Sequence, residues 1–123
     1  ALRSYYGESP ENFLGTSIAV LEDLDGDFGG ELLLGAPGYS GMYTRSGKIY
    51  YLPSSEHSEE EVYLSTVRRT FIGSAAHDEA GSHIEVVGDL DADGYEDFVI
   101  TAPYSNGGGV DAGSIYLISA MGL

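Results

Sequence analysis

The sequence predicts an all-β chain made of two copies of one strand-rich unit, and three observations carry that expectation. Sliding the chain against itself by 66 positions (89 − 23) pairs residues 1–57 with 67–123 without a gap and gives 15 identities in 57. The matches are spread along the unit: Gly15 with Gly81, Ile18 with Ile84, Asp23-Leu24-Asp25 with Asp89-Leu90-Asp91, Asp27 with Asp93, Ala36-Pro37 with Ala102-Pro103, Gly47 with Gly113, and Ile49-Tyr50 with Ile115-Tyr116. Identity spread along one period marks a repeat architecture. Glycine is frequent, at 18 of 123, and the apolar runs are short, as in strands joined by tight turns. β-branched residues and tyrosines at these spacings make helices a poor alternative.

Each copy is read as strands in the same order. Residues 16–21 and 82–87 form the first strands, each just after a glycine. The continuous apolar runs at 31–34 and 97–100 form the second strands, expected to be buried on both faces between neighbouring sheets. Pro37 and Pro103 remove a ladder donor and end those strands. Residues 48–52 and 114–118 are the third strands, and 62–72 is a fourth, after an acidic loop at 54–61. The same offset lays residues 1–6 on 67–72, so the fourth strand of the second copy is expected at the N-terminus. The domain 1–123 therefore divides into 1–7, the fourth strand of a second-type unit; 8–72, the first unit; and 73–123, strands one to three of the second. Such a displacement is the signature of a ring closed by interlocking ends.

Charge narrows the function. Five Lys and Arg against 20 Asp and Glu give 5 − 20 = −15. That argues against a nucleic-acid or anionic-membrane surface, which needs clustered Lys and Arg. At 42% hydrophobic and 11% aromatic residues, the composition is that of a folded globule. No apolar run approaches the ~20 residues of a membrane helix. Zero Cys excludes disulfides, a thiolate zinc site and a thiol nucleophile. The chain opens at Ala1 without an initiator Met or a charged-then-apolar leader, as expected of a processed or excised product.

Between the first two strands of each copy lies an acidic corner, Asp23 to Glu31 and Asp89 to Asp97. Carboxylates at positions 1, 3, 5 and 9 (Asp23, Asp25, Asp27, Glu31; Asp89, Asp91, Asp93, Asp97), with a backbone carbonyl able to turn inward at position 7, can supply the all-oxygen cage of a hard cation. Calcium takes six to eight such ligands at about 2.3–2.6 Å and tolerates irregular geometry better than magnesium does. Without a cation the crowded charges should leave the turn frayed or partly protonated. Positions 1, 3 and 5 should project to one side, with Leu24 and Leu90 facing the interior. Phe28 stands where the second loop has Gly94, and Gly26 and Gly29 are expected to absorb the strain.

These elements together resemble the FG-GAP repeat of integrin α-subunit β-propellers. The resemblance rests on Phe13-Leu14-Gly15-Thr16-Ser17, Asp23 to Glu31 and Gly35-Ala36-Pro37, and in the second copy on Ala80-Gly81-Ser82, Asp89 to Asp97 and Thr101-Ala102-Pro103. It implies two four-stranded antiparallel propeller blades, with one calcium ion per repeat between the first two strands. The ligands it implies are the side chains of Asp23, Asp25, Asp27 and Glu31 with the carbonyl of Gly29, and those of Asp89, Asp91, Asp93 and Asp97 with the carbonyl of Tyr95. It also implies adhesion and recognition outside the cell or at its surface, with protein or glycan ligands bound on the face opposite the calcium.

Two blades do not close a propeller, which has 4–8. The ring is expected to be completed by flanking blades of a longer chain or by head-to-tail homo-oligomerisation, with a trimer of six blades favoured. Catalysis finds no support. His57, His77 and His83 are the only imidazoles, and no Gly-x-Ser-x-Gly, His-Glu-x-x-His or phosphate-loop pattern occurs. A non-catalytic binding module leads, with Tyr39, Tyr43, Arg45, Tyr104 and Asn106 in the loops after the second strands as recognition candidates. A structural scaffold is the alternative.

Overall fold

The computed structural model describes residues 2–56, 59–121 and 123, so the expectations placed on Ala1 and His57 fall outside the described residues. The described strands are β1 (Ser4–Tyr6), β2 (Ser17–Leu21), β3 (Glu31–Ala36), β4 (Lys48–Leu52), β5 (Glu61–Tyr63), β6 (Thr70–Ile72), β7 (His83–Gly88), β8 (Asp97–Ala102) and β9 (Ser114–Ser119). They form a four-stranded antiparallel sheet β2-β3-β4-β6, a three-stranded antiparallel sheet β7-β8-β9 and a parallel pair β1-β5. The first three strands of each copy lie where the sequence puts them. Their registers repeat as well: Ile18↔Leu34 and Leu34↔Tyr50 in the first sheet recur as Ile84↔Ile100 and Ile100↔Tyr116 in the second.

The fourth strand departs from expectation. Residues 62–72 are not one strand; β5 and β6 are separated by a 3-10 helix at Leu64–Thr66. The break buries Leu64 completely against the first sheet. Thr66 Oγ1 donates to the Tyr63 carbonyl at 2.8 Å and closes the turn. At the other end of the chain, β1 pairs with β5, with the Tyr6 and Tyr63 rings stacked at 5.2 Å. Even so, its packing follows the repeat. Phe71 of β6 packs edge-on against Phe98 of the second sheet, and Tyr5, the residue 66 positions earlier, packs on the equivalent cluster of the first.

The two sheets share one core. Leu21, Leu33, Ile49 and Tyr51 of the first meet Ile84, Phe98, Ile100 and Ala102 of the second. The other face of the first sheet carries Leu34, Ala36, Tyr50 and Leu52, covered by Leu64, Tyr5 and Val62. β3 is accordingly covered on both faces, as expected, whereas Val99 and Thr101 of β8 are half-exposed. The second sheet has an outer face to match: Ile115 and Leu117 are 71% and 55% exposed, while Ile49 and Tyr51, their counterparts one repeat earlier, are 1% exposed. For the same reason the expectation for Leu90 fails. Leu24 packs on the shared core, but Leu90 is 62% exposed, since no described sheet follows the second copy.

Polar contacts tie the sheets together. Ser17 Oγ donates to the Gly81 carbonyl at 2.6 Å, and the Arg45 guanidinium donates to Glu79 Oε1 at 2.6 Å while lying over the Phe13 ring. Asn12 and Asp78 build the same turn in each copy, accepting the Ser9 and Ala75 amides respectively. Lys48 is nearly buried; its ammonium donates to Glu8 at 2.5 Å and lies over the rings of Tyr39 and Tyr50. Gly47 forms a bridge with Ala80 at φ +84°, where a Cβ would run into the Ala80 backbone. Replacing it by alanine adds left-handed strain to that clash. Gly47→Ala should therefore lower unfolding stability by about 2 kcal/mol or more, read from the urea midpoint.

Candidate metal centre

Both acidic corners are built the same way. The chain leaves β2 or β7, makes a turn with left-handed residues at positions 4 and 6, and re-enters at β3 or β8. Position 4 is Gly26 (φ +81°) or Ala92 (φ +63°), and position 6 is Phe28 (φ +71°) or Gly94 (φ +94°). Phe28 thus takes the strained conformation itself, and its ring is fully exposed. Gly26 carries its own left-handed turn, so it does not relieve Phe28.

These conformations turn backbone amides toward the carboxylates. Asp23 accepts from Gly26, Asp27 and Phe28 at 2.7–3.2 Å, and Asp89 accepts from Asp93 and Gly94 at 3.1 and 2.9 Å. Asp25 and Asp91 each accept the position-5 amide, at 3.1 and 3.2 Å. At position 9, Glu31 and Asp97 are buried, and they accept the Leu24 and Leu90 amides at 3.2 and 2.8 Å. Amide dipoles aimed at ionised carboxylates are charge-assisted bonds and offset part of the mutual repulsion. The amides thus fold each loop as a closed turn around its carboxylates.

One carboxylate oxygen from each of Asp23, Asp25, Asp27 and Glu31 lies within 4.8 Å of the others, and the same holds for Asp89, Asp91 and Asp97. Asp93 is not in the second group. Its Oδ2 accepts the Ser119 hydroxyl at 2.8 Å and its Oδ1 accepts the Tyr95 amide at 2.9 Å. The Gly29 amide likewise donates to Asp27, at 2.8 Å. Both donor sets fit a hard cation by chemistry, being oxygen only. The second carries a more specific sign: Asp97 is 1% exposed, and its Oδ1 has no hydrogen-bond partner among the described residues. A buried carboxylate oxygen left unpaired is costly unless a proton or a cation satisfies it.

The protonation equilibria follow the surroundings. Burial pushes Glu31 above the usual carboxylate range. Asp91 is also raised, first by partial desolvation within its loop and then by the charges of Asp93, Asp97 and Asp89. Asp27 is lowered, chiefly by the hydroxyl of Ser54. Ser54, Ser55 and Ser119 lie at these loops but fall outside the acidic spacing, and the repeat offset pairs Ser54 with Ala120, so no periodic signal marks them. Glu96, which lies off the ligand spacing, accepts the Glu22 amide at 2.9 Å and links the two corners.

Two outcomes are expected. Phe28→Gly removes the left-handed strain at a small entropic cost and should raise stability by about 0.5–1 kcal/mol in chemical denaturation. The second concerns pH. Without a cation, the raised groups Glu31 and Asp91 contribute stability in their protonated forms, which is lost as pH rises through their folded pKa values. A bound divalent cation reverses this by favouring the ionised forms. The melting-temperature gain on adding calcium should therefore be largest near neutral pH and shrink as pH falls through the carboxylate range; a pH-independent gain would exclude these carboxylates as ligands.

Comparison with known proteins agrees with the repeat. The FG-GAP repeat family pattern matches residues 14–52 and 81–118. The chain is 33% identical over 129 residues to integrin alpha-IIb of Mus musculus, covering 99% of this chain and 12% of that protein. It is 32% identical over 122 residues to integrin alpha-PS2 of Drosophila melanogaster, covering 94% of this chain and 8% of the relative. Integrin alpha-8 of Gallus gallus is 27% identical over 109 residues, covering 85% and 10%. The chain thus spans about a tenth of the length of these relatives. With both halves matched and this identity across nearly its full length, the chain belongs to the FG-GAP repeat family of integrin α-type β-propeller repeats.

Proposed function

We propose that the chain is a calcium-stabilised, non-catalytic two-blade unit of an extracellular or cell-surface β-propeller that binds protein or glycan ligands in adhesion. The observation that carries this reading is the pair of acidic corners, repeated at one offset in a chain of the FG-GAP family. Each would take one Ca²⁺, through Asp23, Asp25, Asp27, Glu31 and the Gly29 carbonyl, and through Asp89, Asp91, Asp93, Asp97 and the Tyr95 carbonyl. The ion supplies the positive charge that lets these groups stay ionised at close range; millimolar extracellular calcium suits sites of this kind. Asp93 would have to turn toward the other ligands about its bond to Ser119, which the carboxylate's remaining lone pairs allow.

The exposed Ile115 and Leu117, together with the unpaired edge of β9 among the described residues, support completion by another blade. That blade belongs either to a longer chain or to a second copy in a head-to-tail ring, of which three copies give six blades. By the register of β4 with β6, β1 of a following copy would pair Tyr5 with Ile115 and Ser4 with Tyr116. No helix among the described residues is long and apolar enough to cross a membrane.

One observation favours the scaffold alternative. Three of the five recognition candidates are already engaged: Arg45 by Glu79 and Phe13, Tyr39 by Lys48, and Asn106, whose Oδ1 accepts the Asp111 amide at 2.8 Å. Tyr43 and Tyr104 remain exposed, at 43% and 49%. Screening the calcium-loaded chain against glycan and matrix-protein arrays, with and without EDTA, separates the readings. The adhesion reading expects a defined ligand, lost with EDTA and weakened by Tyr43→Ala or Tyr104→Ala. Silence across a wide panel, with the chain folded and calcium bound, would leave the scaffold. Native mass spectrometry in calcium should report two ions per chain, and a mass of one copy only would remove the ring of copies.

A further inference from the structure

We propose that a serine hydroxyl at the end of each third strand, Ser54 beside the first loop and Ser119 beside the second, is a positioning residue that holds the position-5 aspartate for cation binding. The inference rests on the cation reading above and goes beyond the ligands themselves. Ser54 opens the 3-10 helix at Ser54–Glu56 just after β4. Its Oγ lies 2.6 Å from both carboxylate oxygens of Asp27, and its amide donates to Glu31 Oε2 at 3.1 Å. The adjoining Ser55 hydroxyl donates to Asp25 Oδ2 at 3.2 Å. Three of the four acidic side chains of the first loop are thus held from outside it, by a single turn. The contact is tight enough that a Cβ on Gly29 would overlap Ser54.

In the second blade the corresponding bond comes from a different residue. The repeat offset puts Ala120 and Met121 in the places of Ser54 and Ser55, and neither has a hydroxyl. Ser119, the last residue of β9, instead donates to Asp93 Oδ2 at 2.8 Å. The same aspartate position is reached from the same strand end by serines that are not repeat equivalents. The need for the bond, and not the repeat alone, accounts for both. In this loop the buried Oδ1 of Asp97, without a hydrogen-bond partner among the described residues, points independently to a cation ligand.

The chemistry favours such a role. An ionised carboxylate has about four lone-pair sites, so one hydroxyl donor leaves capacity for a metal. Partners that orient a ligand typically contribute 10–100-fold to metal affinity. Ser54 binds a ligand that already lies within the acidic group, whereas Ser119 binds one that lies outside it, so the first loop needs less rearrangement.

The test is calorimetric titration of Ca²⁺ into the full chain and its variants. Ser54→Ala should weaken one of the two sites by about tenfold or more and leave the other unchanged, and Ser54→Thr should restore it. Ser119→Ala should weaken the other site. Circular dichroism of each cation-free variant checks that the sheets persist. Unchanged affinities in Ser54→Ala, equal losses at both sites, or failure of the threonine to rescue would overturn the proposal. A wild-type chain that takes up no Ca²⁺ would instead overturn the cation reading on which it rests.

Discussion

Four carboxylates crowded into a nine-residue corner are the constraint around which each half of this chain is arranged. Like charges a few ångströms apart repel strongly wherever water is partly excluded, and Glu31 and Asp97 are buried. The chain answers with geometry before any cation is considered. Left-handed residues at positions 4 and 6 turn successive amides toward Asp23 and Asp89, and the amide after each first acid of the loop is directed to the buried acid at position 9. Strain at Phe28 and Ala92 is tolerated because the turn must close around charge. Amides and hydroxyls offset part of the carboxylates' negative charge, while Asp97 Oδ1 has no hydrogen-bond partner among the described residues.

The corners hold their positions because the sheets behind them stack. Leu21 lies just before the first loop and Leu24 within it, and both pack on the core shared with Phe98, the residue after Asp97. Loop and interface are therefore mechanically continuous, and the Glu96 bond to the Glu22 amide spans the same junction. A cation held at the first loop would act directly on the contact between the two sheets.

Departures from exact repetition fall where the two copies have different neighbours. The first sheet is covered on both faces at β3 and β4, and β4 is buried throughout; the second shows apolar side chains on its outer face. The sequence of the two faces is similar, and only the presence of a neighbour separates them. Local turns, by contrast, repeat even where residues differ. Glu11-Asn12-Phe13 and His77-Asp78-Glu79 share left-handed conformations at their outer positions and a side-chain bond to the amide three residues earlier.

Much of this protein was legible in the residues themselves. The period of 66, the first three strands of each copy and the acidic spacing follow from local pattern, because strand alternation, glycine and proline punctuation and carboxylate position are properties of neighbouring residues. Tertiary structure decided the rest. The break at Leu64 depends on an apolar site offered by Tyr50 and Leu52, and the pairing of β1 depends on where β5 then emerges. Leu24 and Leu90 are the same residue in the same motif, yet one is covered and the other exposed, since burial requires a partner that no local pattern encodes. The serines at the strand ends were hidden for a related reason: hydrogen bonds formed 26 or 27 residues apart depend on how two strands lie in space, and the repeat that disclosed the acids points away from them.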